Sequence, residues 1–338
     1  MPRFEEMPTP QNYVEQVLAD SQRILRAAVG IVHPENPEAD PQKVFPAPNV
    51  PVRAEDEGLQ LADDQKEELI ARADELGFGR PENVTLSEIG LGKWAMVVLE
   101  GGQPHKMMAE ARVVTEDRDA TPKTIIFAAS AQREVKSPAE IESATNLFGG
   151  DQTGKTEYDM AEQVIRALPG FREPFDFEVG GPLNFAYDIH NDFAVSSEVS
   201  GQMVRLGYLG PTTLDVSVHM LRVDREDYMD GDKPRYRKQP NTADLIGILD
   251  ASQRLSYETS MPIAFVTSGA YRPSRAVLTA LAGLRTGRQI GLVTYGNDLV
   301  NEVRGTDLPP PLNQLPGELQ YMAEKTVELE AALQAHEA

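Results

Sequence analysis

The chain has 338 residues and a mass of 37.2 kDa, long enough for one large α/β domain with additions or for two domains. Its 53 acidic and 32 basic side chains give a formal charge of −21, which repels phosphate backbones and anionic headgroups and argues against nucleic-acid and membrane partners. The absence of cysteine excludes disulfides, thiol nucleophiles, thiolate zinc sites and iron–sulfur clusters, so any chemistry rests on oxygen and nitrogen groups.

Met1 to Met7 is acidic and proline-bearing, with no basic segment leading into an apolar one, and no run approaches the roughly 20 apolar residues a membrane helix needs. The expectation is a soluble, cytoplasmic protein. From Gln11 to Ile31, Val14, Val17, Leu18, Ile24, Leu25 and Ala28 recur at helical spacing and predict an amphipathic helix. His33 to Pro51 is dense in proline and reads as an extended connector. Asp63 to Leu76 predicts a second helix, with Leu69, Ile70, Ala73 and Leu76 on its inner face and Gly77 as its stop.

Trp94 to Glu100 is a continuous apolar run closed by Gly101-Gly102, the pattern of a strand covered on both faces. A crossover helix over Lys106–Val114 and a second buried strand over Thr124–Ser130 complete a βαβ unit. Gly149 to Gly154 then leads into a helix from Thr156 to about Leu168, a geometry that receives anions. Between Pro169 and Pro240 the pattern is irregular and reads as an insertion, with one strand candidate at Leu214–Val223. Regularity returns with a helix over Thr242–Leu255, a strand over Pro262–Ser268, a helix over Pro273–Leu284 and a strand over Gln289–Tyr295. After Pro309-Pro310-Pro311, Gly317–His336 predicts a last helix that packs on the domain or on a partner subunit.

This alternation predicts an α/β fold: a Rossmann-like open, mostly parallel sheet with crossover helices, plus N- and C-terminal helical extensions and an insertion. Residues 1–85 form the N-terminal helical extension with its Pro-rich linker. Residues 86–300 form the α/β domain, with the insertion at about 170–236, and 301–338 form the C-terminal linker and helix.

Three features bear on chemistry. Gly149-x-x-x-x-Gly154-Lys155-Thr156 satisfies the P-loop spacing, which aims backbone N–H groups and an ammonium at phosphates. The residues before it do not read as a buried strand, so an anion loop of another fold and a plain helix start with a solvated lysine stay open beside a P-loop ATPase. Second, Thr259 to Asn297 contains no Asp or Glu but retains Arg272, Arg275, Arg285 and Arg288. Arg272 and Arg275 follow the end of a buried strand and enter a helix, which suits an anion site; the alternative is that these arginines neutralise acidic surface elsewhere. Third, no pair of the five histidines has helical metal-ligand spacing, and no metal is assigned. No Gly-x-Ser-x-Gly elbow supports Ser268 as a nucleophile.

In order, Val97-Val-Leu-Glu-Gly-Gly102, Gly154-Lys155-Thr156-Glu157, Asn241-Thr242 and Val266-Thr-Ser268 through Arg275-Ala276 resemble the motifs of the DUF218 group, the YdcF- and SanA-like proteins, over about residues 94 to 296. The resemblance implies a Rossmann-like domain with an anion- or nucleotide-sized pocket, S-adenosylmethionine or another nucleotide-like molecule being the ligand it raises. It implies that Lys155 pairs with phosphate or carboxylate, that Glu157 accepts from ligand hydroxyls, and that Asn241 and Thr242 cap a helix beside the ligand. The chain departs from the group in having Tyr271-Arg272 where members commonly place a histidine, in the long segment before Asn241, and in having no membrane anchor.

The ligand-binding residues expected are Gly101, Gly102, Gly154, Lys155, Thr156, Glu157, Asn241, Thr242, Ser268, Arg272 and Arg275. The partner is a small anionic molecule, with the terminal helices available for homo-oligomer contacts. If the protein is an enzyme, transfer or hydrolysis at a phosphate-like group fits those cations. The alternatives are a non-catalytic ligand sensor or interaction protein, and the P-loop ATPase.

Overall fold

A computed structural model of the chain describes residues 10–46, 61–79, 83–90, 96–117, 119–120, 122–130, 133–174, 183–190, 196–210, 216–225, 228–230, 233–235, 262–287, 289–310 and 312–337. The continuous apolar runs form one side of an eight-stranded sheet, out to its β10 edge. They are β1 (Met96–Leu99), β2 (Thr124–Ser130), β9 (Ile263–Ser268) and β10 (Ile290–Tyr295). All four are parallel, with Leu99 opposite Phe127 on one side and Val266 on the other.

The stretch read as an insertion extends this sheet. β3 (Phe171–Arg172), β4 (Leu183–His190), β5 (Ser196–Leu209) and β6 (Val216–Arg225) lie within it, and β6 pairs in parallel with β2 over seven residues from Thr124↔Ser217 to Ser130↔Val223. β5 runs antiparallel to β6, β3 and β4. The order across the sheet is β10-β9-β1-β2-β6-β5-β3, with β4 also on β5. A small hairpin of β7 (Tyr228–Asp230) and β8 (Lys233–Arg235) follows β6 in the chain.

Helices cover both faces because alternate strand residues point to opposite sides. Val97, Leu99, Ile125 and Phe127 pack against α4 (Pro104–Thr115), α5 (Pro138–Phe148), α6 (Glu157–Ala167) and α8 (Asn297–Arg304). Met96, Val98, Ile126 and Phe265 face the other way, toward Ala282 of α7 (Arg272–Thr286). The terminal helices add a further layer on the outer side of α7. α1 (Pro10–Val32), α3 (Asp63–Ala71) and α9 (Leu315–Glu337) share a core with Val277, Ala280 and Leu281.

The predicted proline-rich connector holds a short helix, α2 (Pro41–Val44), which is a correction to the extended reading. Asp40 caps it and Pro41 stands at its first position, where a missing N–H costs nothing. Phe45 beside it is fully buried, worth about 1.5–3 kcal/mol as an anchor. The second predicted helix stops at Ala71 and continues to Gly77 as turns. No periodic pattern predicts α8, because its only buried apolar residues are Leu299 and Val300. The helix predicted over Thr242–Leu255 lies outside the described residues, as do Asn241 and Thr242.

Candidate functional site at the carboxyl edge of the sheet

The crossover helix after β1 lies on one face of the sheet and the one after β9 on the other, although the two strands are neighbours. Their turns, Glu100–Gly102 and Ser268–Tyr271, therefore diverge at the carboxyl edge, the switch-point crevice at which open α/β sheets hold ligands. Of the expected site residues, Gly101, Gly102, Ser268, Arg272 and Arg275 belong to these two turns and the helix that follows the second.

Glu157, from α6, is brought to the same place. A short bridge ties the segment after β2 to the start of α6: Val135 N–H donates to the Lys155 carbonyl at 2.8 Å, and Glu157 N–H donates to the Arg133 carbonyl at 2.9 Å. This sets the Glu157 carboxyl against the bare Cα of Gly101. A Cβ there would stand 2.2 Å from Oε1 and 3.0 Å from the Ala128 carbonyl. Glu157 is 1% exposed, so it props the turn from below and does not face the crevice as expected of a group accepting ligand hydroxyls. Beside Gly102 there is open space, and its carbonyl accepts from Arg133 at 3.5 Å. Arg133 also bonds to Glu140, which Ser137 holds in turn.

Two carboxyls outside the expected set flank the end of β1. Glu100 is half-buried, and its charge acts on Arg275 and also on Glu110 and Tyr295. Glu110, on α4, is fully buried; burial first, then the nearby Glu100, raises its carboxyl well above the usual range. It bonds to the Tyr295 hydroxyl, while its Oε2 has no hydrogen-bond partner. The signal was a glutamate in the apolar register of α4, between Met107 and Val114.

The arginines of the acid-free stretch do not converge on one anion. Arg275 is buried and donates to Glu318 Oε1 of α9 at 3.4 Å; burial works against its charge, but Glu318 and then Glu100 outweigh it and raise the guanidinium pKa. Arg285 pairs with Glu328 of the same helix at 3.0 Å. The carboxylates missing from the stretch are thus supplied by α9. Arg272 is exposed and lies away from the crevice, beside Tyr13 of α1. Arg288 lies outside the described residues.

Gly149–Thr156 joins α5 to α6, so the P-loop spacing has a helix, not a strand, in front of it. Gly149, at φ 73°, terminates α5. Thr156 caps α6: its Oγ1 accepts from Asp159 N–H at 3.2 Å, and its own N–H donates to Asp159 Oδ2 at 2.7 Å. Its hydroxyl is therefore committed to the cap. Lys155 and Gly154 are exposed. Among the described residues no group of three or more acidic or histidine side chains is placed to hold a metal, and no helix is long and apolar enough to cross a membrane.

His105, at the start of α4, joins three helices. Arg304 of α8 donates to its Nε2 at 2.6 Å, which leaves the proton on Nδ1 to be donated to Ser143 Oγ of α5 at 2.9 Å. Burial, then Arg304 and Lys106, push its pKa down to about 3. His219 on β6 is likewise pushed down to about 4, by burial and by Arg205. A histidine held neutral by the fold contributes stability that is present above its ordinary pKa of 6.5 and is lost as pH falls below it. The urea-unfolding free energy should therefore fall between pH 7 and 5, by up to about 1.4 kcal/mol per pH unit for each such histidine. His105→Asn should make that slope shallower; an unchanged slope would mean that His105 protonates freely in the folded chain.

Compared with protein-family models, with curated proteins and with solved structures, the chain matches none. Fold and site together define an open-sheet α/β protein with a topological switch point between β1 and β9.

Proposed function

We propose that this protein binds a nucleoside-type small molecule at the switch-point crevice, with Glu100 accepting from the sugar hydroxyls. The observation that carries this reading is the pair of diverging turns, Glu100–Gly102 and Ser268–Tyr271, with open space beside Gly102 and a carboxylate at the end of β1. A half-buried carboxylate is a strong acceptor for a pair of hydroxyls, and the start of the twelve-residue helix α4 suits an attached phosphate or carboxylate. The DUF218 resemblance, which rests on four short motifs, points to the same edge and to an adenosyl-type ligand such as S-adenosylmethionine. Glu157 acts here as a positioning residue beneath Gly101. No transfer or hydrolysis follows from this arrangement, because Arg275 is committed to Glu318 and Lys155 is exposed.

Adenosine, AMP and S-adenosylmethionine should raise the melting temperature of the wild-type chain, and 2′,3′-dideoxyadenosine should not. Glu100→Gln should abolish the rise. If none of the three stabilises the protein, or the dideoxy compound does so equally, the reading is wrong.

A further inference from the structure

A cavity lies beside α7, where the edge of the sheet meets the N-terminal helix. It is a cleft of about 870 Å³ between α1, α7 and the edge of β10. Its lining on α7 runs from Arg272 to Leu284 and on to Gly287, so the cleft follows the whole helix, about 20 Å at 1.5 Å per residue. The walls are mainly apolar: Val14, Val17 and Ile24 from α1 face Ala276, Ala280 and Leu284 from α7. This is the size and character of a small-molecule site.

Among the described residues, the charges around it leave one cation over. Asp20 is paired with Arg23 at 3.1 Å, and Glu75 with Arg72 at 2.6 Å. His336 stands at the rim. Arg272, at one end, is engaged by no carboxylate among the described residues; its neighbour is Tyr13, whose hydroxyl bonds to Thr279. Of the arginines in the acid-free stretch that are described, Arg275 and Arg285 are answered by α9 and Arg272 is not. A single planar guanidinium matches one carboxylate bidentately, whereas a dianionic phosphate would meet Asp20 and Glu75 nearby with no second unpaired cation among the described lining residues.

We propose that this cleft binds a long-chain monocarboxylate of the fatty-acid type, its carboxylate on Arg272 and its chain laid along α7 between α1 and the β10 edge. The site is separate from the switch-point crevice and does not depend on what binds there.

Calorimetry with laurate, below its aggregation threshold, tests it on the full chain. Laurate should bind at one molecule per chain and more tightly than dodecan-1-ol. Arg272→Gln should weaken laurate at least about tenfold, as expected for losing a charge-assisted hydrogen bond, and leave dodecan-1-ol unchanged, while Arg272→Lys should retain most of the affinity. Leu284→Glu, which puts a charge on the chain's path, should remove binding of both. Glu100→Gln should leave laurate binding intact, and Arg272→Gln should leave any nucleoside response intact, so this site and the crevice fail independently. The proposal is overturned if laurate does not bind or binds at several molecules per chain, if the alcohol binds equally well, or if Arg272→Gln has no effect.

Discussion

Replacing Glu318 by alanine should cost about 3–5 kcal/mol of folding free energy, the range for removing one partner of a buried ion pair. Glu318 lies on α9, 5% exposed, and holds two groups at the start of α7. Its Oε2 accepts from the Ser274 hydroxyl at 2.6 Å, and its Oε1 from Arg275 at 3.4 Å. Without the carboxylate, the Arg275 guanidinium stays largely out of water, with Glu100 the remaining carboxylate acting on it among the described residues, and the Ser274 hydroxyl loses a charged acceptor. Glu318→Gln keeps an acceptor for Ser274 and should fall between wild type and alanine. The double change Glu318→Leu with Arg275→Met removes both charges and should recover most of the loss, because an apolar pair of similar size replaces a desolvated one. Urea titrations of the four proteins give the comparison. A loss below about 1 kcal/mol in Glu318→Ala would mean the pair is solvated and α9 is not fastened to α7 by charge.

Gly101→Ala should be the most damaging conservative change at the crevice. The added methyl would overlap the Glu157 carboxyl, at 2.2 Å from Oε1 and 2.6 Å from Cδ, and press on the Ala128 carbonyl of β2. The carboxyl can swing, but it is buried, and the carbonyl belongs to the sheet, so the turn itself has to move. Overpacking of this kind costs about 1–3 kcal/mol. Because the strain is between two particular groups, Gly101→Ala combined with Glu157→Ala should be less destabilised than the sum of the single changes. Additive losses would show that Glu157 does not prop the turn. The displaced turn should also lose any nucleoside response, since Glu100 is the residue before it.

How much of this could be read along the chain depended on the range of the forces involved. The buried runs Thr124–Ser130 and Ile263–Ser268, and the helical stripe of Val14, Val17 and Ile24, are local patterns, and the strands and helices they predict lie where expected within a residue or two. β6 was legible as the candidate at Leu214–Val223, but irregular alternation concealed β3 to β5, because strands paired antiparallel lack the continuous apolar run of the parallel ones. α2 hid among prolines, since a helix that begins on a proline is locally indistinguishable from a connector.

The site shows the same division. Glycine at 101 and glutamate at 157 could be named from sequence as parts of one edge. That one lies under the other was settled by the bridge between the segment after β2 and the start of α6. The acid-free stretch was a genuine signal of charge, but its cause lay 43 residues away in each case, on α9, where Glu318 meets Arg275 and Glu328 meets Arg285. No local pattern links residues at that separation.

Side-chain periodicity and composition were enough to establish the alternation of elements, the parallel core and the absence of thiol chemistry. They also showed that no strand leads into the Gly149–Thr156 loop, but they could not say which charges were already paired or that Arg272 was left over beside an apolar cleft; the folded chain decided these. Both depend on contacts between residues far apart in the chain, and electrostatic pairing and packing act through space while propensity acts along the backbone.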